Sequence, residues 1–169
     1  EYGYYYAWGE TTPKNTYDWE TYKYCKGTDV SLTKYNWRAA NGKVDRKTRL
    51  ELSDDAASVN LGSLWRMPTE DEIYELGKRC TWKWTSLNGV KGYSVIGPNG
   101  NSIFLPAAGS QNEKSPSSNI GSKGYFWTSS LDSGGDVGAY ILSCSSSEVA
   151  YTHNYCFRCC GLTIRPVCP

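Results

Sequence analysis

The spacing of apolar residues changes near residue 80, and that change divides the chain. Between Thr69 and Cys80, Ile73, Tyr74 and Leu76 fall on one stripe at helical spacing. Thr69 and Glu72 form a capping box, and Lys78 and Arg79 suit the negative end of a helix dipole, which predicts a helix over 70–80. A shorter helix is predicted over 54–60, with Asp54 and Asp55 in its first turn. After Cys80 the pattern alternates. Thr81-Trp82-Lys83-Trp84-Thr85 reads as a strand, Asn88-Gly89 as a turn, and 93–96 and 102–106 as two more strands around Pro98-Asn99-Gly100. Residues 109–123 read as a long surface loop, followed by strands near 125–130, 139–145, 148–153 and 162–167. Upstream, Tyr2, Tyr4, Tyr5, Tyr6 and Trp8 suggest a short N-terminal strand, then loops pinned by Tyr17, Trp19, Tyr22 and Tyr24. The class is α+β, with two helices packed on a twisted antiparallel β-sheet built largely from residues after 81.

Within 139–145 the period of two separates Tyr140, Leu142 and Cys144, expected to be buried, from Ile141, Ser143 and Ser145, expected to face outward. Val149 and Tyr151 continue the buried set, whereas Ala150 and Thr152 point outward. Residues 152–157 have no pattern. Their mixture of rings, small polar groups and a thiol suits ligand contact.

Composition fits one domain spanning 1–169. With 14 Tyr and 7 Trp against 3 Phe, the core is built from rings, and disorder is excluded. A net charge of +1 gives no electrostatic case for nucleic acid or an anionic membrane surface. No apolar run is long enough to insert into a membrane. The chain starts without Met and without a leader, so it reads as a mature or trimmed fragment. His153 is the single histidine, which rules out a multi-histidine metal site, and no cofactor is expected.

Seven cysteines stand at 25, 80, 144, 156, 159, 160 and 168. Cys156-x-x-Cys159 has the spacing of a redox pair or half a zinc knuckle, but no second pair and no helical pattern accompany it. Neighbours on an extended strand point to opposite faces, which argues against Cys159 and Cys160 converging. Cys80 and Cys168 are the better candidates for a disulfide, one following a helix and the other closing the chain.

Between Asp132 and Cys160 there is no Lys, Gln, Met or Trp, and Glu148 is the only Glu. Those five amino acids are the ones an AAC or AAT codon cannot reach when its two adenines change. The omission is the footprint expected of adenine-directed mutagenesis. Elsewhere Tyr5-Tyr6-Ala7-Trp8-Gly9-Glu10, Ser53-Asp54-Asp55-Ala56-Ala57, Trp65-Arg66-Met67-Pro68-Thr69, the run from Gly100 to Gly109, Trp127-Thr128-Ser129-Ser130 and Ile164-Arg165-Pro166-Val167 occur in order. This ordered set resembles the C-type-lectin-fold variable proteins of diversity-generating retroelements in gut Bacteroides relatives and their phages.

The resemblance implies a C-type lectin fold and a variable segment over about 131–161 that carries the ligand-binding face. Positions resembling the template asparagines are Asp132, Gly134, Gly135 and Asp136 in a first loop, and Ile141, Ser143, Ser145, Ala150 and Thr152 on strands. In a last loop they are His153, Asn154, Tyr155, Cys156, Cys159 and Cys160. The three cysteines are then products of diversification, lying exposed on the ligand face. The implied function is ligand recognition on a cell surface or outside the cell, in the manner of an adhesin or phage receptor-binding domain. The partner would be a protein or glycan on another cell or host surface, and no catalysis is implied. The Glu-Pro-Asn and Trp-Asn-Asp tripeptides of calcium-dependent lectins are missing. Two other readings compete. One is a structural tip module of a surface appendage. The other is a cysteine oxidase resembling formylglycine-generating enzymes, which Tyr155-Cys156-Phe157-Arg158 faintly echoes and which requires buried thiols within mutual reach.

Overall fold

The computed structural model describes residues 2–112, 115–152 and 154–168, with backbone alone at 115–117. Helix α1 (Ala56–Leu61) begins at Asp55, whose carboxylate accepts from the N–H groups of Ala57 and Ser58 at 2.9 and 3.1 Å. Asp54 does not join that first turn. It is buried in a 3₁₀ turn over Leu52–Asp54, where it takes a hydrogen bond from the Tyr35 hydroxyl at 2.7 Å and pairs with Lys34. Helix α2 (Glu70–Arg79) carries the expected capping box, and Arg66 grips Glu72 through two bonds of 2.7 and 2.6 Å. Gly77 lies inside α2, where glycine ordinarily costs about 0.5–1 kcal/mol relative to Ala. A Cβ at Gly77 would stand 2.2 Å from the Tyr151 ring, so the missing side chain lets that ring pack on the helix.

Strands β1 (Thr81–Leu87), β2 (Val90–Ile96) and β3 (Ser102–Pro106) form an antiparallel meander. Asn88 (φ 50°) and Gly89 (φ 81°) make its first turn, the left-handed pair that a two-residue hairpin of type I′ requires. The segment expected to be a long loop instead contains the small hairpin β4 (Ser110–Asn112) and β5 (Ser115–Ser118). Gln111 exchanges backbone hydrogen bonds with Gly161 at 2.8 Å each, which anchors this hairpin to the C-terminal segment. Strand β6 (Lys123–Leu131) pairs antiparallel with β7 (Gly138–Ser145), whose other edge takes β8 (Glu148–Ala150) at one end and β9 (Tyr155–Phe157) at the other.

The described residues therefore make an α+β fold with two α-helices and three separate antiparallel sheets, where one sheet was expected. The N-terminal strand reduces to a single bridge between Tyr6 and Leu162, and 162–167 runs as isolated bridges instead of a closing strand. No helix among the described residues is long and apolar enough to cross a membrane. Cys80 and Cys168 are free thiols, so the expected disulfide is not formed.

Both faces of the β6–β7 pair are covered. Phe126, Leu142 and Cys144 pack with Ile73 of α2 and with Tyr93, Val95 and Leu105 of the meander. Trp127, Leu131, Ala139 and Ile141 pack against an aromatic layer from the N-terminal third, including Trp8, Tyr22 and Tyr35. Ile141 is only 5% exposed, which corrects the expectation that it faces outward. The alternation is as read, but the second face of β7 lies beneath the N-terminal rings along its first half and opens only at Ser143 and Ser145.

Candidate functional site

Arg158 organises the end of the molecule where the C-terminal loops meet. It follows β9 directly and is fully buried. Its guanidinium donates to the Tyr22 hydroxyl at 2.9 Å and to the carbonyls of Asp136 (2.8 Å), Lys34 (2.9 Å) and Tyr35 (3.0 Å). Trp8, Tyr22 and Tyr35 place their rings about this cation, 5.1–6.0 Å from the guanidinium carbon. The Arg158 backbone adds bonds to Val137 and Trp8. Among the described residues no carboxylate pairs with this buried cation, which oriented carbonyls and ring faces stabilise. One consequence is positional: the loop from Asp132 to Val137 is held from beneath.

That loop forms one wall of a cleft of about 630 Å³. Asp132, Ser133, Asp136 and Tyr140 line it together with Trp37, Arg38, Thr48 and Arg49, and with Glu70 and Asp71 from the start of α2. Ser133 meets the Tyr140 hydroxyl at 2.7 Å, and Asp132 accepts from the Gly134 N–H at 3.0 Å. Asp136 is buried, accepting from the Arg38 N–H at 3.0 Å and from Asn41 Nδ2 at 3.3 Å. Its carboxylate braces the loop instead of facing a ligand. Arg38 also reaches the Gly134 carbonyl at 2.8 Å. The cleft thus offers a half-exposed indole, two guanidinium groups, carboxylates and hydroxyls within one concavity, a set suited to a polar ligand that also has an apolar face.

The other expected site residues do not share that cleft. Ser143, Ser145 and Ala150 line a shallow depression of about 80 Å³ with Lys123, Tyr125 and Glu148. Thr152 and Tyr155 are exposed, and Asn154 donates to Ser143 Oγ at 2.6 Å while its carbonyl accepts from the Ile141 N–H at 2.9 Å. Gly134 is exposed and Gly135 half-buried. His153 lies outside the described residues. The expected face therefore divides into a cleft loop, an open strip on β7 and β8, and a last loop, with Ile141 in the core between them. Trp37, Arg38, Arg49 and Arg158 were not read from the sequence. Only the exposed ring of Trp37 beside basic residues could have hinted at a cleft.

The last loop departs furthest from expectation. Cys159 is buried, Cys156 and Cys160 are half-buried, and all three pack on the N-terminal aromatic core. Residues 157–160 form a turn closed by the Cys160 N–H on the Phe157 carbonyl at 2.9 Å, so the opposite-face rule for extended neighbours does not apply. The thiols of Cys156 and Cys159 both interact with Cys160. Hydrogen bonding from them holds the Cys160 thiol well below the ordinary thiol range, while the same contacts and burial push Cys156 and Cys159 up. Among the described residues, no group of three or more His, Cys, Asp or Glu is arranged to hold a metal ion.

No family model, curated protein or solved structure matches the chain.

Proposed function

We propose that the chain is a ligand-binding display module of C-type lectin fold, resembling the variable proteins of diversity-generating retroelements. In this reading it acts outside the cell or at a cell surface and recognises a protein or glycan on another cell or host surface, without catalysis. The observation that carries the reading is the placement of Asp132 and Ser133, at the start of the segment that lacks Lys, Gln, Met and Trp, in the lining of a cleft of about 630 Å³. The recognition face so defined comprises that cleft, the open strip at Ser143, Ser145 and Ala150, and the exposed Thr152 and Tyr155. Ile141 and Cys159 do not belong to it, because a side chain in the core contributes no contact area to a ligand.

The test is a binding screen of the purified domain against arrays of glycans and extracellular proteins. Each hit is then titrated against Trp37→Ala and Ser133→Trp, which remove the ring or fill the cleft, and against Lys83→Ala on the far meander. The proposal expects about a tenfold or greater loss of affinity from either cleft change, the scale of one lost good contact. It expects none from Lys83→Ala. Hits indifferent to both cleft changes would defeat it.

A further inference from the structure

The segment 162–167 is held at both ends by backbone pairs, Leu162 with Tyr6 at 2.9 and 3.1 Å and Val167 with Arg66 at 3.0 and 2.9 Å. Between these anchors, Ile164 and Arg165 line a hollow of about 350 Å³, together with Tyr2, with Phe104 and Pro106 of β3, and with Phe126 of β6. A second hollow of about 170 Å³ takes in Tyr4, Tyr6, Leu61 and Pro166. The two adjoin, because Tyr2, Gly3, Thr163 and Ile164 line both. Tyr4 and Leu61 are 72% and 55% exposed, so apolar surface lies open there. Of the described residues lining either hollow, Arg165 alone carries a charge. It is exposed and makes no ion pair or side-chain hydrogen bond among the described residues. We propose that the two hollows form one binding site for an unbranched fatty acid, with its carboxylate on Arg165 and its chain passing Ile164 into the second hollow.

Size, polarity and charge select that class. The first hollow lies within the range of about 300–1,000 Å³ that small-molecule sites occupy. A strongly polar ligand would need free partners, and the donors of Thr163 and Asn60 are already spent. Thr163 Oγ1 donates to the Tyr125 carbonyl at 2.9 Å, and Asn60 Nδ2 donates to the Thr11 and Ala56 carbonyls at 2.9 and 2.8 Å. The lining offers ring and aliphatic surface instead, on which buried CH₂ groups gain free energy. A neutral hydrocarbon would leave Arg165 unused. A carboxylate takes from a guanidinium two parallel charge-assisted hydrogen bonds. The cation belongs to the first hollow and the second has no charge, which matches a ligand anionic at one end and apolar along the rest. A compact aromatic acid would fill the first hollow and leave the second open, so the adjoining pair favours a chain.

The proposal does not depend on the function proposed above, since none of these residues lines the cleft. Its test is a calorimetric titration of the protein with octanoate, decanoate and decanol, each below the concentration at which it aggregates. Decanoate should bind roughly fifteenfold tighter than octanoate, the worth of two more buried methylenes, and about tenfold or more tighter than decanol. Arg165→Gln should bring decanoate down to the level of decanol and leave the urea midpoint unchanged, because the side chain makes no bond within the fold. Leu61→Asp, at an exposed position, should erase the gain from octanoate to decanoate. Arg79→Gln, at an exposed arginine of α2, should change nothing. No measurable binding of decanoate, equal binding of decanoate and decanol, or an affinity that survives Arg165→Gln would overturn the assignment. An equal loss from Arg79→Gln would also overturn it, by showing capture through surface charge alone. The wild-type comparison of decanoate with decanol decides the matter even if a variant fails to fold.

Discussion

Replacing Arg158 by Ala should destabilise the domain by about 3–5 kcal/mol, among the largest effects of any single truncation here. The structure supplies the magnitude. Four hydrogen bonds connect its guanidinium to acceptors in three separate segments, at 2.8–3.0 Å. A hydrogen bond to a charged group contributes about 1.5–3 kcal/mol, and a buried acceptor left empty costs about 1–3 kcal/mol. Relief from burying the cation offsets part of that loss, which brings the net to the stated range. Arg158→Lys should cost less than Arg158→Ala but more than about 1 kcal/mol, since an ammonium has three donors and no planar fork. Urea unfolding at neutral pH gives the comparison directly: the midpoint should fall with the slope unchanged, meaning stability is lost without a change in the surface exposed on unfolding. Hydrogen exchange should also accelerate at Gly138, whose N–H bonds the Gly135 carbonyl in the loop that Arg158 supports. A cost below about 1 kcal/mol for Arg158→Ala would refute the strut.

Further outcomes follow from the core and the helix start. Ile141→Ala should cost roughly 2–5 kcal/mol as a core truncation, whereas Ser143→Ala, two residues along the same strand face, should stay within about 0.5 kcal/mol; urea midpoints in the reverse order would show that the face is covered at the other end. Glu72 is held down to about 2, chiefly by the Arg66 side chain and against the opposing effect of burial, with the Thr69 N–H helping. Its depressed folded value means this contribution is fully present above the ordinary carboxylate range near 4.3 and disappears as pH falls toward about 2. Glu72→Gln should therefore flatten the fall in urea midpoint across that window, and an unchanged slope would contradict the pairing.

Local signals were legible where a residue type serves one backbone geometry. Thr69 with Glu72 marked the start of α2 because a capping box satisfies donors that only a helix N-terminus leaves open. Asn88-Gly89 marked a hairpin because both positions need positive φ. The two faces of β7 were also readable, but periodicity says only which side chains share a face and not what covers it. Ile141 went inward because Trp8 and its neighbours, more than a hundred residues away in sequence, lie over that half of the strand. Strand β9 was illegible for a related reason: Tyr155–Phe157 has no alternation of its own and is a strand because β7 offers it an open edge. The sequence pattern puts Asp54 in the first turn of α1, whereas the structure has it in a 3₁₀ turn, bonded to Lys34 and Tyr35. The shared packing of Cys159 and Cys160 was not legible, because extended backbone would send neighbours to opposite faces, whereas the chain turns there. Of the residues lining the cleft, Asp132 and Asp136 were expected at a site, whereas Trp37, Arg38 and Arg49 join them only through tertiary folding.

The claim that residues 131–161 are a diversified recognition segment is tested most directly by sequencing the coding region, and the DNA around it, in many isolates that carry it. The account predicts substitutions concentrated at the first two positions of codons for exposed residues such as Gly134, Thr152 and Tyr155. It also predicts a near-identical repeat nearby that differs only at adenines, beside a reverse transcriptase gene, with codons 1–130 almost unchanged. Differences spread evenly along the gene, or substitutions in 131–161 unrelated to adenines in any neighbouring repeat, would contradict it.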